Sequence, residues 1–315
     1  MNSRYLVERI FSAALTLLLL ATLTFFLLRA APGGPFDGEK AFPPAVKENI
    51  EKRYGLSDPL PEQFVSWLKD VSQGDFRESF QHEGIPVREI ISESLPVSLQ
   101  LGAAATLIAL ALGVPMGILA GARHGSAVDR SLLFFSALGT SLPSYLFASV
   151  LILIFGLYLQ WLPVALWEEP GSIILPAITL ALRPLALVTQ IMRASVMECL
   201  GTDWVRTALA KGLRDSRVLG KHILRNSLVP LISLLAPITA GLVTGSFLVE
   251  LTFQLPGLGK HFVSAVLNRD YPLVMGVTLT YGAILLFFTL AADLLSAWVD
   301  PRIRLEMSES TRGRG

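Results

Sequence analysis

The sequence predicts an all-α integral membrane protein with six transmembrane helices, a small extracytoplasmic helical insertion and a cytoplasmic coupling-helix loop. Three observations carry this. Apolar residues make up 52% of the 315 residues and charged residues only 16%, against about 25% charged in soluble domains. Mean hydropathy is +0.56. Lys and Arg are concentrated in alternate connections between apolar runs. This composition excludes a disordered chain, a disulfide scaffold and an ordinary soluble enzyme. The lone Cys199 excludes an internal disulfide and a cysteine zinc site, and a net charge of +1 gives no field for nucleic acid.

A span needs about 20 apolar residues. Ile10–Leu28, Leu95–Ala122, Asn226–Val249 and Tyr271–Ala292 carry no charge. Ser131–Trp167 is also uncharged and is long enough for one span plus an interfacial loop. Gly171–Met192 holds one charge, Arg183. The first run is longer than a signal-peptide core and no small-x-small site follows it, so it reads as a retained helix. Arg4 and Arg9, Arg123 and Arg130, the stretch from Arg193 to Arg225, and Arg302 to Arg314 fall on one side if there are six spans. By the positive-inside rule both termini are cytoplasmic.

The chain therefore divides into an N-terminus and first span (1–30), an insertion (31–94), a five-span body (95–304) and a disordered tail (305–315). The insertion carries twelve acids against seven bases. Pro44 to Gly55 and Pro61 to Gly74 are framed as helices. In the second, Phe64, Trp67, Leu68 and Val71 fall on one face. That face packs on the spans, or the insertion is a docking surface for a soluble partner.

Several chemistries are missing. There is no P-loop, no H-E-x-x-H and no G-x-S-x-G, and His82, His124, His222 and His261 are scattered. Only Arg183, Glu250 and Asp293 are ionisable within or at the ends of spans, which is poor material for a proton relay. The chain reads as a conduit without its own engine.

The connection 194–226 is the richest segment. Thr202 or Asp203 can cap a helix W-V-R-T-A-L-A-K, and Gly212 can end it in the left-handed conformation. Asp215 or Ser216 can cap a second short helix toward His222. Trp204 with Ala208 and Val205 with Leu209 give the first helix an apolar side, and Arg206, Lys211, Arg214 and Arg217 ring it with charge. An apolar face with a basic rim suits a groove on another protein. Anchoring on anionic membrane lipid is the plainer use of the same charges.

W-V-R-T-A-L-A-K-G-L, followed by L-x-x-H-x-L-R-N-S-L-x-P, resembles the coupling loop of ABC-transporter inner-membrane permeases of the dipeptide/oligopeptide/nickel branch. The segments 28–36, 54–68, 74–76, 249–260, 267–272 and 300–304 resemble that branch too. A-P-G-G-P-F and A-V-L-N-R-D-Y are most similar to the B-type membrane subunit of oligopeptide permeases. The resemblance implies a membrane subunit, not an enzyme, that forms half of the pathway for oligopeptides. It implies a homologous second permease subunit, two P-loop ATPase subunits that bind ATP and Mg, and an extracytoplasmic peptide-binding protein. By the same resemblance the chain is expected to hold no cofactor of its own and to sit in the bacterial cytoplasmic membrane. Coupling to the ATPases falls on Trp204, Arg206, Thr207, Ala208, Lys211 and Gly212. Leu209 stands where the branch usually has Arg. Dipeptides, nickel chelates or glutathione are alternative cargoes, and a stand-alone secondary carrier is an alternative class.

Gly113, Gly117 and Gly121 form a small-xxx-small ladder suited to close helix packing. Pro96, Pro115, Pro143, Pro176, Pro184, Pro230 and Pro237 fall in or beside spans. The family commonly has Arg at the position of Gln190, and this chain has Arg183 seven residues earlier, on the same helix face. Arg183, Gln190 and Glu250 are the expected substrate-pathway residues. Arg183 attracts a peptide carboxylate, pairs with an acid such as Glu250, or snorkels to an interface.

Overall fold

Three glycines set the centre of the molecule. A computed structural model describes residues 3–34, 55–82, 84–214, 217–244 and 247–299. The elements are α1 (Ser3–Ala30), α2 (Leu60–Ser72), α3 (Val87–Ala122), α4 (Ala127–Ser141), α5 (Ser144–Leu151), α6 (Ile174–Leu200), α7 (Asp203–Ala210), α8 (Leu224–Thr244), α9 (Phe247–Thr252), α10 (Leu258–Leu267) and α11 (Tyr271–Val299). π-Helical turns extend α5 over Ile152–Tyr158 and precede α8 over Val218–Ile223. Among the described residues five helices are long and apolar enough to span a membrane, or six with α4 and α5 taken together.

Gly113, Gly117 and Gly121 let α3 meet α6 backbone to backbone. A Cβ added at Gly117 would lie 2.5 Å from Met192 Cβ and 2.6 Å from the Thr189 carbonyl. At Gly113 and Gly121 the nearest atoms belong to Val188 and Val196. Where lipid is as apolar as leucine, such close approach is what drives helices together. α4 packs on both α3 and α6, α8 contacts α3, α6 and α11, and α1 packs on α11.

The uncharged run 131–167 is not one straight span. α4 and the helix from Ser144 to Tyr158 meet at 105°. Leu142 is extended, with ψ 128°, and Pro143 follows it at the N-cap of α5. Proline disfavours helical backbone in the residue before it, so the bend falls there. Two other boundaries differ from the charge pattern. α3 begins at Val87, eight residues before the uncharged run. α6 continues to Leu200, so Arg193 lies inside the helix and not in the connection. Pro96, Pro115, Pro184, Pro230 and Pro237 are all inside helices.

The helix expected between Pro44 and Gly55 and the tail 305–315 lie outside the described residues, apart from Gly55 itself. The second insertion helix is α2. It ends at Gln73, and Gly74 takes φ +80°. Its inward face buries Trp67 against Phe25 and Tyr271, with Phe64 edge-on to Phe25 at 5.1 Å. Each such ring pair adds roughly 0.5–1.5 kcal/mol beyond area burial. Arg29 completes the joint. Its guanidinium lies 3.4 Å from the Phe25 ring centre, and its Nε donates to Gln63 Oε1 at 3.0 Å. Beside it, fully buried Asp270 accepts from the Ser79 hydroxyl, the Phe80 amide and the Leu273 amide, binding segment 79–82 to the start of α11.

Candidate functional site

α7 is eight residues long and sits at the foot of α6. Its apolar residues divide between two faces, not one. Val205 is buried with Val196, Val218 and Ile223, and Ala208 and Leu213 pack beside them. Trp204 and Leu209 are 40% and 42% exposed on the outside. Arg206 is exposed, and its 3.6 Å contact with Asp203 is an open i,i+3 pair worth little in water. The Thr207 hydroxyl donates back to the Asp203 carbonyl at 2.9 Å. Thr202 occupies the N-cap position without capping, because its hydroxyl donates to Cys199 O instead.

Lys211 closes α7 and Gly212 follows at φ +81°. Here the glycine is required by backbone conformation alone, since nothing lies within 4 Å of an added Cβ. The second short helix is present in its described part: the chain is helical from Arg217, winds as a π-helical turn over Val218–Ile223 and runs straight into α8. Asp215 and Ser216, its expected caps, lie outside the described residues. The fold thus brings Trp204, Arg206, Thr207, Ala208, Lys211 and Gly212 onto one short knob with Val205 as its root.

The pathway residues do not converge in this way. Arg183 is exposed and Gln190 half-buried on one stripe of α6 that continues through Leu187, Ala194 and Glu198. The rest of α6 is the most buried of the spans. Arg183 makes no ion pair among the described residues. Glu250 is elsewhere, fully buried in α9. It accepts from Ser98 Oγ at 2.8 Å and from the Gly259 and Lys260 amides at 2.7 and 3.2 Å. Those amides open α10, where a carboxylate meets unsatisfied N–H groups and the positive end of the helix dipole. Ser98 Oγ in turn accepts from the Leu258 amide. The carboxylate knots α3, α9 and α10 and does not meet Arg183.

One grouping was not anticipated. Asp129, 2% exposed at the start of α4, is held by Arg193 of α6, with Ser126 capping the same helix at the Asp129 amide. The spacing of Ser126 and Asp129 was a legible capping signal. Its partner 64 residues away was not.

Residues 113–305 match the family described as the binding-protein-dependent transport system inner membrane component, and residues 2–102 match its N-terminal counterpart. The oligopeptide transport system permease protein OppB of Haemophilus influenzae is 43% identical over 96% of this chain and 99% of its own. The dipeptide transport system permease protein DppB of Bacillus subtilis is 38% identical over 96% and 98%. The inward-facing MetNI methionine ABC transporter shares the fold, with a TM-score of 0.52 at 16% identity, covering 67% of this chain and 96% of that one.

Proposed function

The chain belongs to the family of binding-protein-dependent transport system inner membrane components, and from that premise we propose that it forms half of the route by which oligopeptides enter the cell. It is a multi-pass membrane component of an ATP-driven importer and not itself an enzyme. Its partners in this reading are a homologous second permease subunit, two P-loop ATPases that bind ATP and Mg, and an extracytoplasmic binding protein that delivers the peptide. The basic end, with α7 and both termini, faces the cytoplasm.

The observation that carries the reading is α7: a short helix rooted through Val205 in the foot of α6, offering Trp204 and Leu209 outward beside Arg206 and Lys211. Helix-in-groove docking uses such anchors. Closure of an ATPase dimer on ATP then biases the membrane halves between two states, because the ATPases contact α7 differently in each. Arg183 and Gln190 line the peptide route. The lack of an ion pair at Arg183 among the described residues, and the engagement of Glu250 elsewhere, support a ligand carboxylate as the counter-ion of Arg183. Glu250 supports the outer mouth by holding α10 in place.

Purification through a C-terminal tag in mild detergent tests this. Recovery of a second permease and P-loop ATPases is expected. Recovery of the chain alone, where other membrane complexes survive, overturns it. The dipeptide relative at 38% identity favours dipeptides as the second cargo reading, and growth on defined peptides as sole amino-acid source separates the two.

A further inference from the structure

An apolar cavity of about 230 Å³ opens where α4 bends into α5, walled by Ser136, Gly139, Leu142, Phe147, Leu182 and Ala186. Its lining is almost wholly apolar. The exception is Ser136, 2% exposed, whose Oγ has no hydrogen-bond partner among the described residues. A serine inside a helix ordinarily satisfies its hydroxyl on the carbonyl four residues back. Left unpaired in an apolar wall, the hydroxyl costs free energy that an occupant offering an acceptor would recover.

The position of the cavity identifies the occupant. Ala186, on its wall, lies one helical turn from Arg183 and about 60° around the α6 axis. The exposed stripe of Arg183 and Gln190 therefore borders the cavity. A site that encloses a whole small ligand is roughly 300–1,000 Å³, so this one is sized for a single side chain. Apolar cavities of about 150 Å³ take up benzene, so a benzyl or isobutyl group fits here. A cation beside an apolar recess with one hydroxyl matches the end of a peptide: carboxylate, apolar side chain, carbonyl.

We propose that this cavity, with Arg183 at its border, is a transit subsite for the last residue of a peptide, selecting an apolar side chain beside the free carboxylate. The carboxylate meets Arg183, the side chain fills the cavity, and Ser136 Oγ donates to a backbone carbonyl of the cargo. This rests on the peptide-importer reading above and deepens it.

The test uses the complete importer in liposomes and compares ATP-driven uptake of Ala-Ala-Phe and Ala-Ala-Ala. Ser136→Leu fills the cavity and removes the hydroxyl. Phe135→Ala opens its rim from a position 62% exposed, where loss of folding is not expected. The ratio of Phe-ended to Ala-ended uptake should fall about tenfold in Ser136→Leu, the discrimination one apolar pocket commonly supplies, and by less in Phe135→Ala. A ratio unchanged in both variants, with wild type carrying both peptides, overturns the subsite and leaves the importer reading standing. A phospholipid that co-purifies with wild type and is lost from Ser136→Leu at unchanged ratio assigns the cavity to an acyl chain and overturns the subsite too. If wild type carries neither peptide, the importer reading itself falls. If Ser136→Leu does not assemble, the ratio in Phe135→Ala decides.

Discussion

Arg193 grips Asp129 with two nitrogens, Nε at 2.6 Å from one carboxylate oxygen and a terminal nitrogen at 2.9 Å from the other. The pair ties the start of α4 to the lower part of α6. Asp129 is 2% exposed and Arg193 18%, so neither charge has much recourse to water. Removing one partner of a buried pair costs roughly 3–5 kcal/mol, mostly because the other is left uncompensated. Asp129→Asn should lower the thermal unfolding midpoint of the purified protein in fixed detergent. An unchanged midpoint would show that the pair contributes nothing net.

The glycine seam makes a second prediction. Gly117→Leu should abolish recovery of folded protein, since even its Cβ would lie 2.5 Å from Met192 Cβ. Gly241, in α8, has nothing within 4 Å of an added Cβ. Gly241→Ala should therefore be neutral or stabilise by up to about 1 kcal/mol. Size-exclusion profiles of the two variants check this. Equal behaviour would mean that contact between α3 and α6 is not what requires glycine.

At Gly212 the constraint is conformational. Valine at φ +81° is strained by roughly 1–2 kcal/mol or more, while asparagine tolerates that region. Gly212→Val should insert normally yet lose the co-purifying ATPases, and Gly212→Asn should retain them. Full ATPase recovery with Gly212→Val would remove the turn from the docking argument.

Stability should depend on pH through His261. Burial pushes its imidazole below the ordinary 6.5, helped by His82, whose ring lies 6.5 Å away, and by Lys260; Glu250 and Glu93 oppose. The neutral form is the one the fold favours. Its contribution is complete above pH 6.5 and is lost as pH falls through the lowered value. The unfolding midpoint should drop between about pH 7.5 and about pH 5.5, and His261→Gln should flatten that drop. Parallel curves for variant and wild type would place the dependence elsewhere.

The spans were legible because lipid demands long apolar runs, and the knob because a short helix ended by a glycine is a local pattern. What escaped was non-local or directional. Hydropathy over 131–167 is seamless, so it does not register the turn at Leu142, for which Pro143 is the only mark. Counting charges ended the fourth span before Arg193, because the sequence does not announce that Asp129 neutralises it. Residues four apart on α7 suggested one apolar side. Packing against Val196 and Ile223 chose Val205 and Ala208 as its inner face and left Trp204 and Leu209 outside. Glu250 read as a charge at an outer mouth, because the groups that hold it come from elsewhere in the fold, among them Ser98 and the amides of Gly259 and Lys260.

The close seam between α3 and α6 also has a mechanical meaning. Val205 fastens α7 to the last turns of α6, and α6 is clamped to α3 from Gly113 to Gly121, where Val188, Met192 and Val196 pack directly on the glycine backbone. Arg183 and Leu200 are 17 residues apart on that one helix, roughly 26 Å of it. Helix and clamp form one beam, with the α7 knob at one end and the charge of Arg183 near the other. On the proposed function, work delivered to the knob reaches Arg183 as displacement of α6 and α3 together.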